Sequence, residues 1–413
     1  MPLRSHTGAT VERPAAPDLP ARRRIMLIGP GFRFLSGLSV YTCSLANALV
    51  EANDVSVVLL DRLIPERLYP GAHRVGHQLT SMDYDPRVGR VGTLDWYWGA
   101  SAWRLTRELM ADPPDVIVLQ WWTAATLHTY LMVARAAAKA GIPLVLEFHE
   151  VQDTGEASVP FVAAYCRRFL THLLRRASGA IFHNQHDADV FTALFGQEAL
   201  GRLNTVIAPH GPYDHVTKPK VPEALRTSEP AAVTTAVDGT KPTRILSFGL
   251  IRPYKGIEDL IQSFDAMTPE QAAQFEIDVV GETWEGWTAP AESIEQSRYR
   301  DRIRFENRYV TDSEAAEYFD NADVLVLPYR RGSASGPLQI AMNNGIFVVL
   351  YAVGGLVEAV RDYPGAILVA PGDVDGLRRA LLSIVGRRSE RFADPHTWSP
   401  LVRAVESMVE VNR

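Results

Sequence analysis

Along the first half of the chain, short apolar runs recur at RIMLIG (24–29), VSVVLL (55–60), VIVLQ (116–120), PLVLEF (143–148), GAIFH (179–183) and NTVIA (204–208). They are nearly continuous in Val, Ile and Leu and do not alternate apolar with polar, which is the pattern of strands covered on both faces. Between several of them lie stretches with apolar residues at helical spacing, at 40–51, 101–110, 125–139 and 161–177. Strand and helix in alternation predict a parallel sheet with helices on both sides. The pattern breaks at 216–242, where Pro, Thr, Ala and Lys accumulate without periodicity, as in a linker. It then restarts at RILSFG (244–249), FEIDVVG (275–281), RIRFEN (302–307), DVLVLPY (323–329), FVVLYA (347–352) and AILVA (366–370). Two α/β domains are therefore expected, over 23–215 and 243–396. A last helix is expected within 397–413, where Trp398, Leu401, Val402, Val405 and Met408 share a face suited to packing back on the N-terminal domain.

A chain of 413 residues is too long for one comfortable core and suits two domains of ordinary size. With 46% hydrophobic and 22% charged residues it resembles folded soluble proteins, which argues against disorder or a fibrous repeat. The net charge of −6 carries no basic surplus, so nucleic acid is not an expected partner. Cys43 and Cys166 fall in helical stretches, as small buried hydrophobes and not as a disulfide or metal set, which suits the cytoplasm. Residues 1–22 hold charge and proline but no apolar core segment, so they read as a disordered tail and not as a secretory signal. The apolar stretch 116–134 includes Gln120, Trp121, Trp122, His128 and Tyr130, and reads as a strand followed by a helix, not as a membrane span.

In open parallel sheets, ligands bind beyond the carboxyl ends of the strands. The first such turn holds Gly29 and Gly31, with Gly37 opening the next helix; a dinucleotide fingerprint would need glycine where Phe34 stands. Glycine here permits close backbone approach to a phosphate or sugar, or serves only a tight turn. The most specific run is SFGLIRPYKGIEDLI (247–261): a strand ends at Gly249, Arg252 and Lys255 follow, and an amphipathic helix starts after Gly256. Two cations on a strand-to-helix turn are placed to neutralise a diphosphate, Arg252 as a fork and Lys255 as a point charge.

This run resembles the G-R-x-x-x-x-K-G signature of the retaining glycosyltransferases of family 4, in the variant whose arginine stands three residues before the lysine. The resemblance continues in order through the glycine-rich first turn, His149 after a strand, VIAPHG (206–211), ADVLVLPYR (322–330), SGPLQIAMNNG (335–345) and VGGLVE (353–358). It implies the GT-B fold, two Rossmann-like domains whose parallel sheets face an interdomain cleft. It also implies a UDP- or GDP-sugar donor held mainly by the C-terminal domain, retention of anomeric configuration and no obligatory metal. One departure stands out. The family commonly carries Glu-x7-Glu, and Gly332 and Ile340 occupy those positions here. Ser335, Gly336, Pro337 and Leu338 are then expected to hold the donor phosphates through backbone N–H groups and a hydroxyl at a helix N-terminus. Glu358 reads as a helix-start residue.

The resemblance further places His149 near the reacting sugar, where a neutral imidazole can hydrogen-bond a hydroxyl or a developing charge; the alternative is a satisfied structural histidine. Gly249, Tyr309 and Val310 are expected at the donor, the last two framing the base. As the leaving diphosphate gains charge, Arg252 and Lys255 lower the barrier. With retention its oxygen helps remove the acceptor proton, so no enzymic nucleophile is demanded. The acceptor side is expected at Gly31, Gly37, Gln120, Trp121 and His183, with Trp121 either stacking on the acceptor or packing in the core. His186 reads as a helix cap or a lining residue, and His210 as part of a structural turn. No carboxylate or cysteine stands at ligand spacing from these histidines in the sequence, so no metal site is expected. The helix over 165–176 has basic and apolar faces, suited to covering the sheet or to peripheral contact with an anionic membrane at the inner face of the cell.

The expected function is transfer of a hexosyl group to a hydroxyl of a glycan, a lipid-linked molecule or a small molecule. The missing Glu pair motivates one alternative, a catalytically silent nucleotide-sugar-binding partner of a glycosyltransferase. An epimerase would need several carboxylates around the sugar, and none stands out.

Overall fold

The computed structural model describes residues 22–34, 37–62, 80, 82–95, 99–151, 160–216, 241–283 and 286–410. Most of the expected tail and linker, 1–21 and 217–240, lies outside the described residues.

The first sheet contains β1 (Arg24–Pro30), β2 (Asp54–Arg62), β3 (Gly89–Asp95), β4 (Val116–Trp121), β5 (Leu144–Phe148), β6 (Gly179–Phe182) and β7 (Asn204–Ile207). Its order is β3-β2-β1-β4-β5-β6-β7, all parallel. The second contains β8 (Thr243–Phe248), β9 (Phe275–Val280), β10 (Ile303–Glu306), β11 (Val324–Leu327), β12 (Phe347–Tyr351) and β13 (Ala366–Val369). Its order is β10-β9-β8-β11-β12-β13, again all parallel. Strands β4, β5, β11 and β12 are buried at every residue, which is why their runs show no alternation. The sequence reading did not include β3. Only Leu94 of that strand is buried, and an edge strand with its residues in solvent announces itself through no apolar run.

In both sheets the strand order reverses beside the first strand, at β1/β4 and at β8/β11. Crevices for ligands open beyond the carboxyl ends of strands at such points. The turn after β1, the turn after β8 and the loop after β11 are thereby brought to the centre of the molecule.

The helix Ser399–Glu410 buries Leu401, Ala404, Val405, Met408 and Val409 against the helix Gly37–Leu49 and strands β4 and β7. Polar ties flank this packing: Asn53 Nδ2 donates to Glu406 Oε1 at 2.9 Å, and Arg23 pairs with Glu406 and Glu410. One packed cluster runs from this face of the first sheet into the core of the second domain, while the opposite face has its own. The helix Pro160–Leu174 turns Leu170, Leu173 and Leu174 into that second cluster and leaves Arg167 and Arg168 exposed, with Arg175 exposed just past its end, so its apolar face covers the sheet. Cys43 and Cys166 are buried, and neither is in a disulfide. Among the described residues no helix is long and apolar enough to cross a membrane.

Candidate active site

Beyond β8 the chain passes Gly249, bridges to Thr283 through Ile251, and enters the short turn Pro253–Lys255 with Arg252, half-buried and extended, just before it. Gly256 closes the turn at φ 65, ψ 32, and a Cβ there would stand 2.1 Å from the Pro328 carbonyl oxygen. Only glycine both adopts that backbone and lets the turn lie against the end of β11. The close approach delivers Lys255 to the loop after β11. Its Nζ donates to the Tyr329 hydroxyl at 2.5 Å and stands 3.9 Å from that ring's centroid. The Tyr329 hydroxyl is 3.5 Å from Ser335 Oγ, and Ser335 caps the helix Gly336–Asn343 by accepting from Leu338 N–H. Lys255 and the helix N-terminus expected to hold phosphates therefore sit at the two ends of one hydroxyl relay.

Burial lowers the Lys255 pKa; Tyr254 opposes that change and Arg252 adds to it. The nearby carboxylate Asp259 is taken by Arg330 at 2.8 Å. A half-buried ammonium beside the positive end of a helix makes a site for an anion. Gly249 faces Pro337 of that helix. Tyr309 and Val310 follow β10, half-buried and buried, just before the helix Asp312–Asn321. A capping box fixes the turn between them, with Glu314 Oε2 accepting from Thr311 N–H at 2.8 Å.

On the opposite wall, the Gly31 carbonyl accepts from Ser39 Oγ at 3.0 Å, and the Gly37 carbonyl accepts from the Tyr213 hydroxyl at 2.7 Å. The Tyr213 ring also lies against Gly336, where a Cβ would come within 3.1 Å of it. Tyr213, which the sequence reading missed, thus spans from the first-domain turn to the second-domain helix N-terminus.

The carboxyl ends of β4, β5 and β6 present Gln120, Glu147, His149 and His183 side by side. Gln120 is fully buried, accepting from Thr42 Oγ1 at 2.5 Å and donating to Glu147 Oε2 at 3.1 Å, so its amide braces a carboxylate. Trp121, 3% exposed, packs in the apolar core. Glu147 is fully buried and accepts from the Tyr41 hydroxyl. Burial pushes its carboxyl up, but His149, His183 and Tyr41 outweigh burial and bring it down to about 2. His149 Nε2 stands 3.6 Å from Glu147 Oε2, and His183 Nε2 stands 3.9 Å from Oε1, both beyond hydrogen-bond length.

Glu147 corrects the expectation that these histidines lack a carboxylate neighbour. It stands two residues before His149 where the strand is extended, and residues so spaced share a side; that signal was present inside PLVLEF. His183 Nδ1 is 3.2 Å from the Ala208 carbonyl, and burial, then His149, lower its pKa to about 4. His210 packs on Tyr41 at 4.5 Å and Tyr213 at 5.0 Å between ring centroids, and burial holds it well below 6.5. The cap of the helix Gln185–Phe195 is Asn184, whose Oδ1 accepts from Asp187 N–H at 2.8 Å, and not His186.

The two walls touch at one further place. Backbone N–H groups of Gln185 and His186 donate to Glu358 Oε2 and Oε1, each at 2.9 Å, and Asn184 Nδ2 donates to the Ser333 carbonyl at 3.3 Å. Glu358 does lie in the first turn of the helix Leu356–Ala359, yet its carboxylate serves a helix of the other domain.

Two Rossmann-like domains with parallel sheets, meeting at the carboxyl ends of their strands, define the GT-B architecture of glycosyltransferases. Solved structures with this fold superpose over nearly the whole chain. Sucrose-phosphate synthase from Thermosynechococcus elongatus gives a TM-score of 0.61 at 17% identity, covering 94% of each chain. HepE from Anabaena in complex with UDP gives 0.60 at 15%, covering 94% of this chain and 95% of that one. The α,α-trehalose 6-phosphate synthase from Burkholderia multivorans gives 0.60 at 15%, covering 94% and 98%. Residues 36–211 match the family model of the glycosyl transferase 4-like domain, and residues 242–387 match that of glycosyl transferases group 1, so the chain carries both domains. A curated relative, the GDP-mannose:glycolipid 4-beta-D-mannosyltransferase of Xanthomonas campestris, is 31% identical over 146 residues, which is 35% of this chain. The chain spans 40% of the length of that relative.

Proposed function

We propose that this chain is a glycosyltransferase that moves a hexosyl group from a nucleotide-diphosphate donor to a hydroxyl acceptor. The observation that carries the reading is the convergence of Lys255, Tyr329 and the Ser335-capped helix N-terminus at the crevice between β8 and β11. The donor's pyrophosphate lies there, met by Arg252 and Lys255 and by the N–H groups around Gly336, Pro337 and Leu338. Gly249, Tyr309 and Val310 line the nucleotide. As the anomeric C–O bond breaks, the phosphate oxygen keeps the electron pair and fixed cations stabilise it. Because protein cations meet that charge, donor turnover persists in EDTA. His149, on the opposite wall, hydrogen-bonds the sugar. A UDP-sugar is favoured by the UDP complex of HepE and a GDP-sugar by the Xanthomonas relative's name. Exposed Arg167, Arg168 and Arg175 suit peripheral contact with an anionic membrane from the cytoplasmic side.

The motif resemblance favours retention, with the departing phosphate taking the acceptor proton. A second reading is favoured by that relative's name: the sugar of GDP-mannose is α-linked, so a β-mannoside made from it is a product of inversion. Inversion needs a protein base, and His149 beside the Glu147 carboxylate is the group to supply it. Proton NMR of the first-formed product's anomeric proton separates the two.

The transfer reading is tested by donor turnover of the full chain with UDP- and GDP-sugars, alone and with hydroxyl acceptors. Arg252→Ala and Lys255→Ala each lower kcat by about 10²- to 10³-fold while melting remains as in the parent. Undiminished turnover in both variants refutes the role given to these cations. Donor binding by calorimetry without turnover against any acceptor supports the silent partner instead.

A further inference from the structure

Glu147, His149 and His183 form a grouping that sugar transfer does not use in full. One ligand atom from each lies within 4.8 Å of the others. The Nε2 atoms of both histidines are buried and have no hydrogen-bond partner. The tautomer of His183 follows from its other nitrogen. Nδ1 stands 3.2 Å from the Ala208 carbonyl oxygen, which only accepts, so Nδ1 carries the hydrogen and Nε2 presents a bare lone pair. That lone pair faces Glu147 Oε1 at 3.9 Å. Electron-rich atoms turned toward one another in a buried site require a positive centre among them. The hydrogen-bond donors to the carboxylate, the Tyr41 hydroxyl and Gln120 Nε2, are neutral, which leaves an imidazolium of the grouping or a bound metal ion as the positive centre.

We propose that Glu147, His149 and His183 bind one divalent transition-metal ion of the zinc class. Two imidazole nitrogens with one carboxylate oxygen suit zinc and its neighbours, whereas magnesium and calcium prefer oxygen alone. A tetrahedral ion about 2.1 Å from each ligand sets them about 3.4 Å apart. His149 Nε2 approaches Oε2 at 3.6 Å and His183 Nε2 approaches Oε1 at 3.9 Å, while one ligand atom from each residue lies within 4.8 Å of the others, so the side chains close in by up to about 1.4 Å on an ion. The surroundings already hold the ligands as a metal site does: the Ala208 carbonyl orients His183, while Tyr41 and Gln120 fix the carboxylate. His149, 10% exposed at its side chain, is the ligand through which solvent reaches the site. Three protein ligands leave a fourth position for water or a substrate hydroxyl.

The inference does not rest on the transfer reading, excludes His149 Nε2 as the base of the inverting reading while the ion is bound, and is tested without donor or acceptor. Full-length protein stripped with a chelator is titrated with Zn²⁺ against a chromophoric competitor, and with Co²⁺ while the visible spectrum is followed. One ion per chain is expected, with Kd of about 1 μM or tighter, and Co²⁺ gives the intense visible bands of a four-coordinate site. His183→Ala and Glu147→Gln weaken binding at least about 100-fold, whereas His172→Ala, outside the grouping, leaves it unchanged. If Glu147→Gln does not fold, the His183→Ala titration and the parent Co²⁺ spectrum carry the test. Zn²⁺ binding that is absent, or equally tight in His183→Ala, overturns the proposal. A proton shared within the grouping in metal-free and Zn²⁺-treated protein alike, seen by NMR of the imidazoles, also overturns it.

Discussion

Burial disfavours the charged form of both Lys255 and His183, but with different consequences. Lys255 is half-buried on the turn after β8, whereas His183 is enclosed and stays neutral, its pKa lowered from 6.5 to about 4. Between those values the unfolded chain takes up a proton at this residue and the folded chain does not. Stability that is complete above pH 6.5 is therefore lost as pH falls toward 4, by up to about 1.4 kcal/mol per pH unit and on the order of 3 kcal/mol in all. His210 acts in the same direction. Glu147 stays ionised until about pH 2, so its own contribution fades only below 4.5, in a separate window. Urea unfolding in EDTA at pH 7.5, 6 and 5 should show the decline, and His183→Gln should flatten it; parallel curves for the two proteins would show that His183 is not the group responsible. Arg252 and Lys255 were legible because they are neighbours in sequence on one turn. Their link to Ser335 through Tyr329 was not, since it crosses from one strand end to the next.

At the scale of elements, the apolar runs marked the buried strands and failed only for β3, whose exposure removes the signal. The turn after β8 shows how an element's end is held. A side chain at Gly256 meets a left-handed backbone and, 2.1 Å away, the carbonyl of Pro328, an atom with little freedom to move. Gly256→Ala is expected to lower unfolding stability by about 2 kcal/mol or more and to cut turnover with it, because Lys255 rides on the turn. Lys255→Ala differs by lowering turnover alone. Urea midpoints measured beside donor turnover distinguish the two, and a Gly256→Ala protein with parental stability contradicts the close contact.

Across the whole molecule, Glu358 ties the domains by placing a carboxylate on the N-terminus of the helix Gln185–Phe195. A charged cap of this kind contributes about 0.5–2 kcal/mol, which shifts an equilibrium between closed and open domains by about 2- to 30-fold. Glu358→Ala should raise the radius of gyration in X-ray scattering and the KM for donor while each domain keeps its secondary structure. A scattering curve and KM identical to the parent's would mean that the contact does not hold the domains together. The helix Ser399–Glu410 acts at the same scale, returning the end of the chain to the first domain's surface.

Strand runs, helix spacing and the cationic turn could be read along the chain because periodicity and adjacency are local properties that need no knowledge of neighbours in space. The partnership of Glu147 with His183, the reach of Tyr213 between domains and the capping of one domain's helix by Glu358 could not. Each depends on strand register and domain placement, which the packing of the two cores sets, and each joins residues whose own surroundings in sequence look like ordinary strand ends and helix starts.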